Sequence, residues 1–166
     1  MTGPVRVATA DDMRMIGRRI AGVLRPGDLV VLTGPLGAGK TTLTQGIGAG
    51  LGVAGRVVSP TFVIARLHTG GRTPLVHADA YRIGSIDEID DLDLDASLAE
   101  SVTVVEWGEG LVEGLSDDRL EVSIDRTAGD ESGEAREVTL TGVGDRWAGV
   151  PLDVSGLGDD RPAQPS

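Results

Sequence analysis

Short apolar runs and helical stripes alternate along most of the chain. Apolar residues between Met13 and Leu24 recur at helical spacing, which predicts a helix that buries one face. The segment Asp28 to Thr33 contains a short apolar run that is typical of a buried parallel strand, and Thr41 to Leu51 is predicted to be helical. The other predicted extended segments are Pro4 to Ala8, Val57 and Val58, Phe62 to Leu67, Pro74 to Ala78, and Val102 to Val105.

The pattern changes near the C-terminus. Leu120 to Ile124 and Glu137 to Leu140 both alternate apolar with polar residues, and the polar segment Asp125 to Arg136 separates them. This arrangement predicts an antiparallel hairpin with a long loop. The elements together predict one α/β domain over residues 1–150, with a P-loop NTPase-like, mostly parallel sheet flanked by helices and this hairpin at one edge. Residues 151–166 are rich in Asp, Gly and Pro and are predicted to form a disordered tail.

Composition narrows the class of protein. The 166 residues include no cysteine, which excludes disulfides and thiolate metal sites. No signal peptide or membrane span is predicted, so we expect a cytoplasmic protein without membrane contact. The formal net charge is −11, and no basic residue occurs between Ile83 and Asp118. That segment disfavours direct contact with a nucleic acid and leaves open a solvated acidic surface or a docking face for a basic partner.

One segment carries a specific chemical motif. Residues 34–41 read G-P-L-G-A-G-K-T, a full match to the phosphate-binding pattern G-x-x-x-x-G-K-[ST]. Lys40 is the only lysine among fifteen basic residues, and a compact ammonium on a flexible stem suits a position between two phosphates. The glycines let backbone N–H groups face the phosphates at the start of the next helix. The candidate nucleotide-binding residues are Gly34, Leu36, Gly37, Ala38, Gly39, Lys40, Thr41 and Thr42.

Two carboxylates follow predicted strands of the sheet. Asp79 comes after the apolar run that starts at Leu75, and Glu106 comes after the run that starts at Val102. Residues at the carboxyl ends of parallel strands can hold Mg²⁺ and orient an attacking group. Asp79, Glu106 and Lys40 are therefore the candidate catalytic residues. Thr41 and Glu106 are the candidate metal ligands.

Further segments around these residues resemble a known family. They are S-P-T-F at 59–62, H-A-D-A-Y-R at 77–82 and V-V-E-W at 104–107, with G-E-A-R at 133–136 in the predicted hairpin. In this order, and together with the phosphate loop, they resemble the bacterial tRNA threonylcarbamoyladenosine biosynthesis ATPases of the TsaE family, also called YjeE. The resemblance covers roughly Val5 to Gly142.

The resemblance implies a protein that hydrolyses ATP with Mg²⁺ in support of adding a threonylcarbamoyl group to the adenosine beside the tRNA anticodon. Family members act on the complex of the TsaD and TsaB proteins, so tRNA is reached only through that complex. Asp79 would lie near the γ-phosphate, and Arg136 and Thr9 could approach the nucleotide, although Thr9 is also predicted to cap the first helix. The implied switch or partner residues are Ser59, Pro60, Thr61, Phe62, His77, Tyr81, Arg82 and Trp107.

Three other functions are compatible with a phosphate-binding loop. A GTPase is disfavoured because its guanine-reading element requires a second lysine. A small-molecule kinase is a second possibility, since Arg66, Arg72 and Arg82 could bind a second phosphate. Such kinases usually carry a helical lid and an acceptor pocket, for which the sequence between Arg82 and Val102 is short. The last is a nucleotide-dependent interaction module with little hydrolysis, in which the acidic segment 83–118 would be the functional surface.

Overall fold

The computed structural model describes residues 5–34, 39–53, 65–68, 70–79, 100–106, 118–126, 135–150 and 152. The predicted helices and strands that fall within these residues are present, with ends that differ by up to three residues. The strand predicted at Val57 and Val58 and the predicted tail lie outside the described residues, apart from Leu152. The elements are β1 (Val5–Val7), α1 (Ala10–Ala21), β2 (Leu29–Thr33), α2 (Lys40–Leu51), β3 (Ala65–His68), β4 (Leu75–Asp79), β5 (Val102–Glu106), β6 (Arg119–Arg126), β7 (Arg136–Val143) and a 3-10 turn (Asp145–Trp147).

The strands of the described residues form a seven-stranded mixed sheet in the order β1-β7-β6-β2-β5-β4-β3. The four neighbours β6, β2, β5 and β4 run parallel. Antiparallel pairs flank them, with β7 and then β1 beyond β6, and β3 beyond β4. The predicted α/β class and the C-terminal hairpin are confirmed. The outermost strand on the hairpin side is β1, because β7 pairs with β6 on one side and with β1 on the other.

One face of the sheet shares its apolar core with α1 and α2. Side chains alternate between the two faces of a strand, so every second residue of the central strands enters this core. The helices contribute the apolar stripe that the sequence predicts. The strand residues of the core include Val30, Leu32, Val102, Val104, Leu120, Val122, Ile124, Val138 and Leu140, and the helix residues include Met13, Ile16, Ile20, Leu43, Ile47 and Leu51.

Glycines let the two helices approach each other closely. A methyl group added at Gly46 of α2 would lie 2.8 Å from the Cα atom of Arg14, and its nearest contact would be the carbonyl oxygen of Arg14. A methyl group added at Gly17 of α1 would lie 2.7 Å from the backbone nitrogen of Ile47. Both distances are shorter than carbon contacts allow. Backbone therefore packs directly against backbone where α1 crosses α2.

An ion pair between Arg146 and Asp28 links the C-terminal 3-10 turn to the start of β2. Asp28 is buried directly before β2, and Arg146 binds both of its oxygens, Nε to Oδ1 at 2.9 Å and Nη2 to Oδ2 at 2.9 Å. Nη2 also donates to the carbonyl oxygen of Val23 at 2.7 Å. The guanidinium carbon lies 4.4 Å from the ring centroid of Trp147, which places the cation over the aromatic face. A buried bidentate ion pair thus joins segments 118 residues apart.

Replacing Arg146 by Met is expected to lower the free energy of unfolding by about 3 kcal/mol, because it leaves the buried Asp28 carboxylate without its guanidinium. Urea unfolding followed by circular dichroism measures the loss. The matched control is Arg18→Met, which removes an exposed arginine of α1 and should change stability by about 0.5 kcal/mol or less. Equal losses in the two variants would contradict a specific role for the pair with Asp28.

Candidate functional site

Three strands end side by side at the carboxyl end of the sheet, where α2 begins. β2, β5 and β4 are parallel neighbours. Glu106, the last residue of β5, pairs in register with Leu32 of β2 on one side and with Asp79 of β4 on the other. Gly34 follows β2 after Thr33. The strand order therefore brings the start of the phosphate loop and both candidate acid positions to one end of the sheet, the usual place for a ligand in such folds.

Gly39 connects the phosphate loop to α2. It is the N-cap of the helix, with φ 110° and ψ 18°, a left-handed conformation that favours glycine. Its carbonyl oxygen accepts a hydrogen bond from the Leu43 N–H at 2.9 Å, so the first turn is closed. The N-terminus of a helix presents N–H groups and the positive end of the helix dipole. This end of α2 is suited to bind a phosphate.

The Lys40 side chain reaches back to Gly34, the first residue of the phosphate-binding motif. The residue is 6% exposed, and its Nζ donates to the carbonyl oxygen of Gly34 at 2.7 Å. A buried charge is costly unless it is paired or hydrogen-bonded, which the contact with Gly34 helps to provide. The positive charge is held at the loop where a phosphate would lie.

The Glu106 carboxylate joins side chains of α2 and β4. The Thr41 hydroxyl donates to Oε1 at 3.3 Å, and Nε2 of His77 lies 3.0 Å from the same oxygen. Both Glu106 and His77 are buried. An ionised carboxylate only accepts hydrogen bonds, so Nε2 is the ring nitrogen that carries a hydrogen in this contact. Oε1 thus receives two donors, whereas no residue in the described ranges donates to Oε2.

These oxygens fit a magnesium ion that arrives with a nucleotide. Mg²⁺ takes oxygen ligands and is usually held by one or two protein groups together with phosphates and water. Glu106 offers Oε2, and Thr41 offers its hydroxyl oxygen in the first turn of α2. No cluster of three or more His, Asp or Glu side chains that could hold a metal occurs in the part of the chain that the structure describes. The phosphates of the nucleotide would therefore supply further ligands.

Thr9 and Arg136 lie farther along the carboxyl end of the sheet. Val7, the last residue of β1, pairs with Arg136, the first residue of β7. Thr9 is the N-cap of α1, and its Oγ1 accepts the N–H of Asp12 at 3.1 Å, which confirms the predicted cap. Nη1 of Arg136 donates to the carbonyl oxygen of Ala135 at 3.0 Å. Nucleotide contacts by Thr9 and Arg136 stay predictions.

The other candidates differ in how far the structure describes them. Thr42 lies in the first turn of α2. For Asp79 the backbone position at the end of β4 is described, and its side chain is outside the description. His77 is fully buried against Glu106, so in this conformation it does not reach a partner surface. The candidates outside the described residues are Leu36, Gly37, Ala38, Ser59, Pro60, Thr61, Phe62, Tyr81, Arg82 and Trp107.

Arg72 is placed away from the phosphate loop. Its guanidinium donates to the carbonyl oxygens of Leu24, at 3.2 Å, and Ala21, at the C-terminal end of α1. The residue precedes β4 at the amino end of the sheet. In this conformation Arg72 therefore cannot serve as the second phosphate-binding group that a kinase would need. A cation at a helix C-terminus satisfies carbonyl groups and complements the helix dipole instead.

The sequence interpretation missed the contact between His77 and Glu106. A signal was available, because His77 lies two residues before Asp79 and alternation puts both on one face of the strand. The sequence does not indicate that β5, which carries Glu106, is the strand beside β4. The sequence also does not indicate a cavity of about 210 Å³ on the sheet face away from α1 and α2. Its lining residues are Val31, Thr33, Glu121, Ser123, Thr139 and Thr141. No predicted site residue lines it.

β2 leads through Gly34 toward a helix that begins at Lys40, beside a strand that ends in Glu106. This arrangement defines the class of P-loop NTPase-like α/β folds. Comparison with known proteins gives the family. The sequence model of the threonylcarbamoyl adenosine biosynthesis protein TsaE matches residues 7–138. The chain therefore belongs to the TsaE family, as the sequence resemblance predicts.

Individual relatives agree with the family match. The tRNA threonylcarbamoyladenosine biosynthesis protein TsaE of Streptomyces coelicolor is 62% identical over 145 residues, which cover 86% of this chain and 98% of that protein. The TsaE protein of Bacillus subtilis is 41% identical over 143 residues, covering 86% and 87%. The crystal structure of Bacillus subtilis YdiB matches with a TM-score of 0.71 at 36% identity, and the match covers 88% of each chain.

In the described residues, no helix is long and apolar enough to cross a membrane.

Proposed function

We propose that this chain is an ATPase that binds and hydrolyses Mg-ATP in support of the threonylcarbamoyl modification of the adenosine beside the tRNA anticodon. The observation that carries the proposal is the 3.3 Å hydrogen bond from the Thr41 hydroxyl to Glu106 Oε1 at the N-terminus of α2. It joins the end of the phosphate-binding motif to an acid on the neighbouring strand. Membership of the TsaE family supports the biological process.

The phosphates would be bound by the start of α2. Gly39 turns the backbone, and the first N–H groups of the helix face the anion. Lys40 would move from the Gly34 carbonyl to phosphate oxygens, over a short distance because its Nζ already lies at the loop. This exchange replaces a hydrogen bond from the ammonium to a neutral carbonyl by one to an anionic oxygen, which is stronger.

The acids would organise the reacting end of the nucleotide. Thr41 and Glu106 would hold Mg²⁺, which when bound neutralises charge on the β- and γ-phosphates. Asp79 would orient the attacking water, since its strand position adjoins Glu106 in register. Burial of Glu106 at 4% exposure strengthens its electrostatic effect by excluding water from around the carboxylate.

The partners that we propose are the TsaD and TsaB proteins, with tRNA reached only through their complex in the cytoplasm. Hydrolysis would reset that complex for further turnovers. The net charge of −11 supports this arrangement, because it opposes direct association with the phosphate backbone of tRNA.

The test is steady-state phosphate release from Mg-ATP by the purified chain, alone and with the TsaD and TsaB pair. We expect stimulation by the pair and a decrease of at least about 100-fold in the Lys40→Ala variant, because that variant removes the cation from the transferred phosphate. ADP formation that depends on an added small-molecule acceptor and releases no phosphate would indicate a kinase. Nucleotide-dependent docking to the pair without release would indicate an interaction module.

A further inference from the structure

His77 and Glu106 form a buried pair behind the proposed magnesium site. His77 lies on β4 opposite Val104 of β5, and its ring reaches the carboxylate two residues farther along β5. We infer that His77 is a positioning residue: it holds Oε1 of Glu106, so that Oε2 stays available to the metal of the bound nucleotide. This inference rests on the proposed ATPase function and assigns the histidine a role in it.

Of the two donors to Oε1, His77 has the better geometry. The distance of 3.0 Å from Nε2 is typical of an N–H to oxygen hydrogen bond, whereas 3.3 Å is long for a hydroxyl donor. The Thr41 hydroxyl is also the group expected to turn one of its lone pairs toward the metal. When it does so, the imidazole of His77 continues to fix the carboxylate from the strand side.

The other ring nitrogen indicates that His77 is not kept for packing alone. Nδ1 is buried, and within the described residues it has no hydrogen-bond partner. A buried polar atom without a partner lowers stability, and an apolar side chain at this core position would avoid the loss. An apolar side chain, however, could not form the hydrogen bond with Glu106. The structure therefore retains a residue that is unfavourable for packing and favourable for the geometry of the acid.

Two substitutions separate positioning from packing. His77→Gln places an amide N–H near the position of Nε2, and His77→Leu fills the space without a donor. The control is Thr103→Val on β5, which also removes a buried polar atom without a described partner but does not contact Glu106. For each variant we would measure the ATP dissociation constant with Mg²⁺ and with a chelator, the thermal unfolding midpoint, and the crystal structure without nucleotide.

Mg²⁺ is expected to tighten ATP binding, and we expect this tightening to be about 10- to 100-fold smaller in His77→Leu than in the wild type. A loss of this size is typical when a group that orients a metal ligand is removed. Its unfolding midpoint should stay close to that of the wild type, because removing the unpartnered Nδ1 offsets part of the cost of taking a donor from the buried Glu106 carboxylate. The Glu106 carboxylate should leave the observed position. His77→Gln should recover most of the gain, and Thr103→Val should keep all of it.

The proposal is overturned if Glu106 keeps its position and the Mg²⁺ dependence survives in His77→Leu. It is also overturned if His77→Gln fails as completely as His77→Leu and both unfold early, since that result indicates packing. The ATPase proposal fails separately, when the wild type shows no phosphate release that depends on Lys40. In that case the crystal structures still decide whether His77 positions Glu106.

Discussion

Replacing Glu106 by Gln is expected to reduce phosphate release by at least about 100-fold, with or without the partner pair, as is common when a reacting-centre acid is lost. Glutamine keeps the shape of the side chain and its reach to Thr41 and His77. It removes the negative charge that would hold the proposed Mg²⁺. ATP binding measured in the presence of a chelator should be nearly unchanged, because the phosphate loop and Lys40 remain intact.

The matched control for this substitution is Glu121→Gln. Glu121 is also a strand glutamate, on β6, and its carboxylate pairs with Arg119 at 2.8 Å. It lies on the sheet face away from α1 and α2, where it lines the cavity. Wild-type turnover is expected for this variant. If Glu106→Gln retained turnover within about threefold of Glu121→Gln, Glu106 would not hold the metal or act in the reaction, since its charge would then contribute less than about 1 kcal/mol.

Replacing Gly46 by Ala is expected to lower the free energy of unfolding by about 3 kcal/mol, the upper part of the range for overpacked cores. The new methyl group would meet the backbone of Arg14, with its Cα atom at 2.8 Å. Backbone cannot change rotamer to make room, so α1 must move away from α2. Urea unfolding measures the loss.

The movement of α1 should also reach the phosphate loop. Met13 of α1 lies near Gly39, since a methyl group at Gly39 would come 3.2 Å from the Cε atom of Met13. We therefore expect weaker ATP binding together with the loss of stability. The control is Gly22→Ala, at a position with φ −62° where the added methyl group meets only the Arg19 carbonyl oxygen at 3.2 Å. A stability loss at Gly22 equal to that at Gly46 would contradict the close crossing of the helices.

Local patterns were enough to predict the elements that carry the site. The apolar run before Gly34 and the glycines around Lys40 determine a strand, a turn and a helix through nearest-neighbour chemistry alone. The alternation in β6 and β7 likewise predicts a hairpin, because the two strands are close in sequence. These features depend on residues within one element or in consecutive elements of the chain, where propensity and turn chemistry act directly.

Contacts between distant segments were not predictable from these patterns. The sequence gives no strand order, and only the pairing of β4 with β5 brings His77 to Glu106. The same holds for Arg72, whose charge suggested a phosphate contact until the fold placed it beside carbonyl groups at the end of α1. Long side chains can satisfy several kinds of acceptor, so their partners depend on tertiary structure.

The ion pair between Asp28 and Arg146 has a consequence for where this protein can be truncated. The family match ends at residue 138, within β7. A fragment cut there would lose Arg146 and would also lose Trp147, a 4% exposed member of the core. Asp28, directly before the strand that leads into the phosphate loop, would then lose its guanidinium partner. An expression fragment of this protein therefore needs to extend beyond Trp147, past the boundary that sequence similarity marks.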